Sequence, residues 1–141
     1  MDVPTNILNE IANNLEAGEK CFIHKQTLEI VTYPDDTQFS DDEMFIEAFG
    51  KDVEKVEGDK NYVEIEKMSS HDSFKVMEDF AESVEDRTTK IRLLTALDGK
   101  KPFANFKYQV DNSGKFRELW FAFRKEKIIE WVKDQLDSMP Q

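Results

Sequence analysis

Apolar side chains near the start of the chain recur at helical spacing. Ile7, Leu8, Ile11 and Leu15 share one stripe at a period of roughly 3.6, Thr5 or Asn6 can cap the first turn, and Gly18 suits a left-handed end. The pattern predicts a helix over about residues 6 to 17. It then changes to two short β-prone runs, Cys21 to His24 and Leu28 to Tyr33, separated by Lys25-Gln26-Thr27. These predict a hairpin, although its turn lacks Gly, Asn and Asp. Ser40-Asp41-Asp42-Glu43 reads as a capping box, followed by a buried stripe of Met44, Phe45, Ala48 and Phe49 and a stop at Gly50. After the charged stretch from Lys51 to Lys60, Asn61 to Glu66 alternates like a half-buried strand and is expected to join the hairpin as a third antiparallel strand.

From Ser69 onward the period is helical. Ser70 can cap a helix carrying Phe74, Met77, Phe80, Ala81 and Val84, and Asp86 can cap another that runs through Ile91, Leu93, Leu94 and Leu97 to Gly99. Pro102 suits the first turn of a short helix from Phe103 to Val110. From Lys115 to about Leu136 nothing breaks a single long helix. At about 100° per residue, Phe116, Leu119, Trp120 and Phe123 cluster on one side of it. Ile128, Ile129, Val132 and Leu136 cluster nearly opposite, with Phe121 projecting onto this second stripe. The second stripe is expected either to pack inside the chain or, in part, to meet another molecule.

The expected fold is therefore α+β. A first portion, residues 1–68, holds a helix and a small antiparallel sheet of about three strands; a helical portion, residues 69–137, ends in one long helix. The whole, residues 1–141, reads as a single domain.

Composition supports a packed protein, with 39% hydrophobic residues and eleven Phe in 141. Thirty acids against nineteen bases give a net charge of −11, which argues against indiscriminate nucleic-acid coating or adhesion to anionic membranes. The charge is segregated: residues 35–87 hold eighteen acids and six bases, and residues 88–133 hold eleven bases and five acids. In the basic half cations alternate with aromatics, as in Phe106-Lys107-Tyr108, Lys115-Phe116-Arg117 and Phe121-Ala122-Phe123-Arg124-Lys125. Such interleaving can stack bases or dock an acidic partner, or it can be an aromatic core rimmed by solvated cations. The residues chosen for a contact surface are Lys107, Arg117, Phe121, Arg124 and Lys125.

Candidate chemistry is sparse. Cys21 is the only cysteine, which excludes an intrachain disulfide and fits a reducing cytoplasm. Cys21 and His24, three apart on a strand, point to opposite faces, so they form no catalytic pair, and with His71 they cannot complete a zinc site without a carboxylate. Adjacent carboxylates such as Asp35-Asp36 and Glu85-Asp86 lack the alternating ligands of a calcium loop. No phosphate-binding glycine loop or nucleophile elbow occurs. Neither an export signal nor a membrane span is expected, because the opening Met-Asp-Val-Pro-Thr-Asn is neither basic nor apolar and the longest apolar run is Leu119 to Phe123.

One stretch, from Met77 to Val132, resembles a known family. The residues that carry the likeness are Met77-Glu-Asp-Phe80, Val84-Glu-Asp86, Ala96-Leu97-Asp-Gly99, Pro102-Phe103 with Phe106-Lys107, and Arg117-Glu-Leu-Trp120-Phe121-Ala-Phe123-Arg124 with Glu130-Trp131. Together they are similar to the bacterial uncharacterised protein family numbered 0158. The resemblance implies a cytoplasmic bacterial protein, and it brings no activity and no catalytic residue. The leading expectation is a cytoplasmic, non-enzymatic domain that binds another protein, without cofactor or metal, as a monomer or weak homodimer. The alternatives are a nucleic-acid-associated regulator using the basic aromatic surface, and a small hydrolase or metal-dependent enzyme.

Overall fold

In the computed structural model, which describes residues 2–35 and 42–139, six helices and three strands follow one another in an α+β order. Helix α1 (Thr5–Glu16) is followed by strands β1 (Glu19–His24) and β2 (Ile30–Pro34), helix α2 (Glu43–Gly58) and strand β3 (Tyr62–Ile65). Helices α3 (Ser70–Ser83), α4 (Arg87–Asp98), α5 (Pro102–Asp111) and α6 (Phe116–Ser138) complete the chain. These elements fall into two compact units, one of Met1–Lys67 with Ile129–Gln141 and one of Met68–Ile128.

In the first unit the sheet order is β2-β1-β3, antiparallel throughout, so the central strand is the first in sequence. Alternation sorts its side chains. Cys21, Ile23 and Ile65 are buried on one face, against which α1 lays Leu8, Ile11, Ala12 and Leu15. Phe22, Val31, Tyr33 and Tyr62 occupy the other face and pack with Phe45, Phe49, Val53 and Val56 of α2. Helix α1 starts at Thr5, one residue before the expected start. Neither Thr5 nor Asn6 caps it; Pro4 supplies the boundary, and its carbonyl accepts from the amides of Ile7 and Leu8. Gly18 does take the left-handed φ of +80° that ends the helix.

Helix α2 departs most from the sequence reading. It continues through Gly50 to Gly58, because Phe45, Phe49, Val53 and Val56 extend one apolar stripe past the glycine. Met44 and Ala48 lie on the exposed side instead of the stripe. The cap is Asp42, whose carboxylate accepts from the Met44 amide at 2.8 Å; Ser40 of the expected capping box lies outside the described residues.

Beyond Ile65, the end of α6 holds the chain leaving β3. The Gln135 amide donates to the Glu66 carbonyl at 2.7 Å and accepts from the Glu66 amide at 2.9 Å, as a neighbouring strand would. The Trp131 indole N–H donates to the same carbonyl at 2.7 Å.

The second unit is helical. Its core joins Met77, Phe80 and Ala81 of α3 with Val84, Leu93 and Leu97, Phe106 and Val110 of α5, and Trp120 of α6. Trp120 sits among three rings, 4.9 Å from Phe106, 5.3 Å from Phe80 and 6.5 Å from Phe123. Ser69, not Ser70, caps α3, accepting from the Asp72 amide, and Asp86 caps α4 as expected. Of the apolar residues of α4, Leu93 and Leu97 are buried and Ile91 is 52% exposed.

Helix α6 is continuous, and only part of each of its stripes is buried. Trp120 is buried, Phe116 and Phe123 are half-buried, and Leu119 is exposed. On the second stripe Ile128, Val132 and Leu136 are buried inside the chain, which removes them from any contact with another molecule, while Phe121 is 39% exposed.

Candidate functional site

Two groups of side chains could carry chemistry. The first surrounds the turn between β1 and β2. That turn has no glycine; Leu28 takes the left-handed conformation, with φ of 62°, an arrangement that costs an L-residue about 1–2 kcal/mol. His24 compensates. Its Nδ1 accepts from the amides of Gln26 and Thr27, both at 3.1 Å, doing the work an Asn or Asp would ordinarily do in such a turn. With Nδ1 used as an acceptor, the proton belongs on Nε2, which lies 3.3 Å from Asp59 Oδ2. The other Asp59 oxygen accepts from the Asn61 amide at 2.9 Å, so one imidazole and one carboxylate tie the hairpin turn to the turn that enters β3.

Next to this pair, Glu29 accepts from Lys55 Nζ at 2.5 Å and from Tyr62 Oη at 2.7 Å. His, Asp, Tyr, Glu and Lys side chains together resemble catalytic machinery. Their bonding gives another account. Both imidazole nitrogens are occupied, so His24 has no lone pair to offer a substrate or a metal. His71 is an exposed residue in the first turn of α3. Cys21 is fully buried on the opposite face from His24, and burial, reinforced by Glu10, pushes its thiol up to about 12, which leaves it protonated and inert. Among the described residues no three His, Cys, Asp or Glu side chains are grouped to hold a metal ion, and no helix is long and apolar enough to cross a membrane.

The same network makes stability depend on acid. The hydrogen bond from Lys55, then that from Tyr62, holds the Glu29 carboxyl below its ordinary 4.5; the Asn61 amide, then His24, holds Asp59 below 3.8. A carboxylate lowered in the folded state contributes stability that is full above its unfolded value and lost as pH falls through its folded value. Wild type is therefore expected to be more stable than Glu29→Gln near neutrality, with the gap closing as pH drops below 4.5. Urea midpoints of the two proteins at about pH 7 and about pH 3 test this. A gap that is the same at both ends would mean the carboxylate charge contributes nothing.

The second group lies on the helical unit. Arg117, Phe121, Arg124 and Lys125 follow the i, i+4, i+7, i+8 pattern and share one face of α6. The Arg117 guanidinium lies 4.7 Å from the centre of the Phe121 ring. It also reaches Asp111 at the end of α5 and Glu118, each at 3.3 Å. Through Asp111 the α6 face meets the α5 surface on which Lys107 stands one turn earlier, exposed, beside Tyr108 at 65% exposure. Arg124 and Lys125 are half-buried. Tyr108 stood in the interleaved run of the sequence but was not among the residues chosen for the contact surface. The remaining aromatics of the basic half divide otherwise: Phe106 and Trp120 are core, and Phe116 and Phe123 are half-buried under the ammonium groups of Lys115 and Lys127.

Comparison with known proteins adds a family and no activity. The sequence model of the Uncharacterised protein family (UPF0158) matches residues 5–139. A UPF0158 protein of Pseudomonas aeruginosa is 30% identical over 74 residues, which cover 52% of this chain and 48% of that protein. The matched stretch thus spans about half the length of the curated relative. No solved structure matches.

Proposed function

We propose that this chain, which belongs to the Uncharacterised protein family (UPF0158), is a non-enzymatic, cytoplasmic protein-interaction domain that docks an acidic protein surface on the basic, aromatic face of α6. The observation that carries this reading is the exposed Phe121 ring framed by Arg117, with Arg124 and Lys125 on the next turn and Lys107 on α5. An aromatic anchor ringed by arginine has the composition of an interface centre. The Arg117 ion pairs are exposed, worth about 0–1 kcal/mol each, so an acidic partner can replace Asp111 and Glu118 at little cost.

One feature favours protein over nucleic acid: the Arg117 guanidinium already covers a face of the Phe121 ring, on which a base would have to stack. The absence of a free imidazole at His24 supports the non-enzymatic part of the reading.

The test is capture from an extract of the native host, with immobilised wild type compared with Arg117→Glu/Arg124→Glu. Acid-rich protein retained at least about tenfold better by wild type, and insensitive to nuclease, is the expected result. Equal retention by both columns would overturn the reading, and retention abolished by nuclease would replace it with nucleic-acid binding.

A further inference from the structure

The sheet unit carries a cleft of about 330 Å³ between β2 and α2. Tyr33, Phe45 and Val53 form an apolar floor, and Ile46, 53% exposed, stands at its mouth. Four charged groups line it. Lys20 pairs with Glu64 and Asp35 pairs with Lys67, whereas Glu54 and Glu57 have no ion pair or hydrogen bond among the described residues. The surplus is negative. Its field is felt at the cleft floor, where burial first and Glu57 next raise the Tyr33 phenol above its ordinary 10.

Gly50 is the second observation. A glycine inside a 16-residue helix costs about 1 kcal/mol relative to alanine. No backbone conformation demands it, since its φ is not positive. A Cβ added there would meet only Ile46 Cγ2, at 3.4 Å, so no neighbouring element demands it either among the described residues. Gly50 does line the cleft, and its missing side chain widens it.

An apolar slot of one or two side chains, rimmed by unpaired carboxylates, fits an aromatic ring flanked by cations. The chain itself displays such a group: Phe121 with Arg117, Arg124 and Lys125. Resting on the reading of the α6 face given above, we infer that the acid-rimmed cleft of the sheet unit receives the Phe121 face of a second copy of this chain. Each copy offers one ring and one cleft, so association either propagates as open chains or closes on itself, a reciprocal two-fold dimer being the smallest closed form.

Sedimentation velocity of the full chain tests the assignment. Wild type is expected to associate between about 10 µM and about 1 mM at low salt, and to dissociate as salt screens the contact. Phe121→Ala/Arg124→Glu destroys the ring side, and Glu54→Lys/Glu57→Lys destroys the cleft side. Each alone is expected to be monomeric, with association weakened at least about tenfold, and the two mixed are expected to form a 1:1 dimer and nothing larger. Circular dichroism establishes that both variants, which leave every buried residue unchanged, are folded. Gly50→Ala supplies a readout that a purely structural glycine would not give: a higher melting temperature together with weaker association.

Wild type that stays monomeric throughout, a mixture that yields no dimer, or Gly50→Ala that associates like wild type would each overturn the inference. If the mixture fails while Arg117- and Arg124-dependent capture of another acidic protein persists, the second copy is excluded and the α6 face stands. If capture shows no such dependence while the mixture forms its dimer, the partner is this chain alone.

Discussion

Phe106→Ala is expected to lower the unfolding free energy by about 3–5 kcal/mol, the largest loss from any single truncation considered for this protein. The side chain is 1% exposed in the helical unit and packs edge-on to Trp120 at 4.9 Å. Removing it forfeits the transfer free energy of the ring, the aromatic contact, and the packing of Trp120 against Phe80 and Phe123 around the new cavity. Helix α5 has only Phe106 and Val110 as buried residues, so few other side chains can close the gap. A urea titration followed by far-ultraviolet circular dichroism measures the loss. A midpoint lowered with unchanged slope is the expected form, and a loss below about 1.5 kcal/mol would mean that the core collapses around the site and that α5 is not anchored by this ring.

His24→Ala is expected to cost about 2–3 kcal/mol, more than a half-polar residue near a turn ordinarily would. The imidazole satisfies the amides of Gln26 and Thr27, holds Asp59, and packs edge-on against Tyr62 at 4.8 Å. Without it the two amides lose their acceptor and Leu28 keeps its left-handed strain with less to offset it. His24→Asn separates the contributions. Its side-chain oxygen can take the place of Nδ1 and cap the turn as an Asx residue does, but it does not reach Asp59 or stack on Tyr62. Recovery of about 1 kcal/mol by Asn relative to Ala is expected from the capping share. Equal stabilities for Asn and Ala would show that the amides find water readily and that the value of His24 lies in its contacts with Asp59 and Tyr62.

The same residue shows where sequence reasoning stopped. The hairpin was legible from two β-prone runs, yet its turn lacked every residue that ordinarily signals one. The turn is made by an imidazole that reaches forward two and three residues, a bond no spacing rule anticipates. Asp59, 35 residues away, completes the arrangement, and only pairing of β1 with β3 brings it near. Helix α2 was cut short because Gly50 reads as a terminator. Local propensity is worth about 1 kcal/mol, and the burial of Val53 and Val56 beyond it on the sheet outweighs that.

The α6 face was assembled differently. The residues Arg117, Phe121, Arg124 and Lys125 could be chosen in advance because cations interleave with aromatics along that part of the sequence, but their exposure could not. Phe121 was grouped with Ile128 and Val132 on angle alone, and those two are buried while Phe121 is not. Periodicity gives the direction of a side chain from its own axis and says nothing of how far a neighbouring layer extends along that axis. Likewise the carboxylates of residues 35–87 were visible as a charge run, while the cleft that sets Glu54 and Glu57 beside Tyr33 and Phe45 depends on α2 crossing β2.

Periodicity, caps and composition were enough to establish the α+β order of the chain, six of its helices in outline, the antiparallel strands and the segregation of charge. These are local properties, written within a few residues of one another, and they follow from backbone geometry and the burial of apolar stripes. The tertiary structure alone decided that both imidazole nitrogens of His24 are engaged, which aromatic is exposed and which is core, and where an internal glycine leaves room. Each of those outcomes rests on groups distant in sequence competing for the same few ångströms of space, hydrogen-bonding capacity and water.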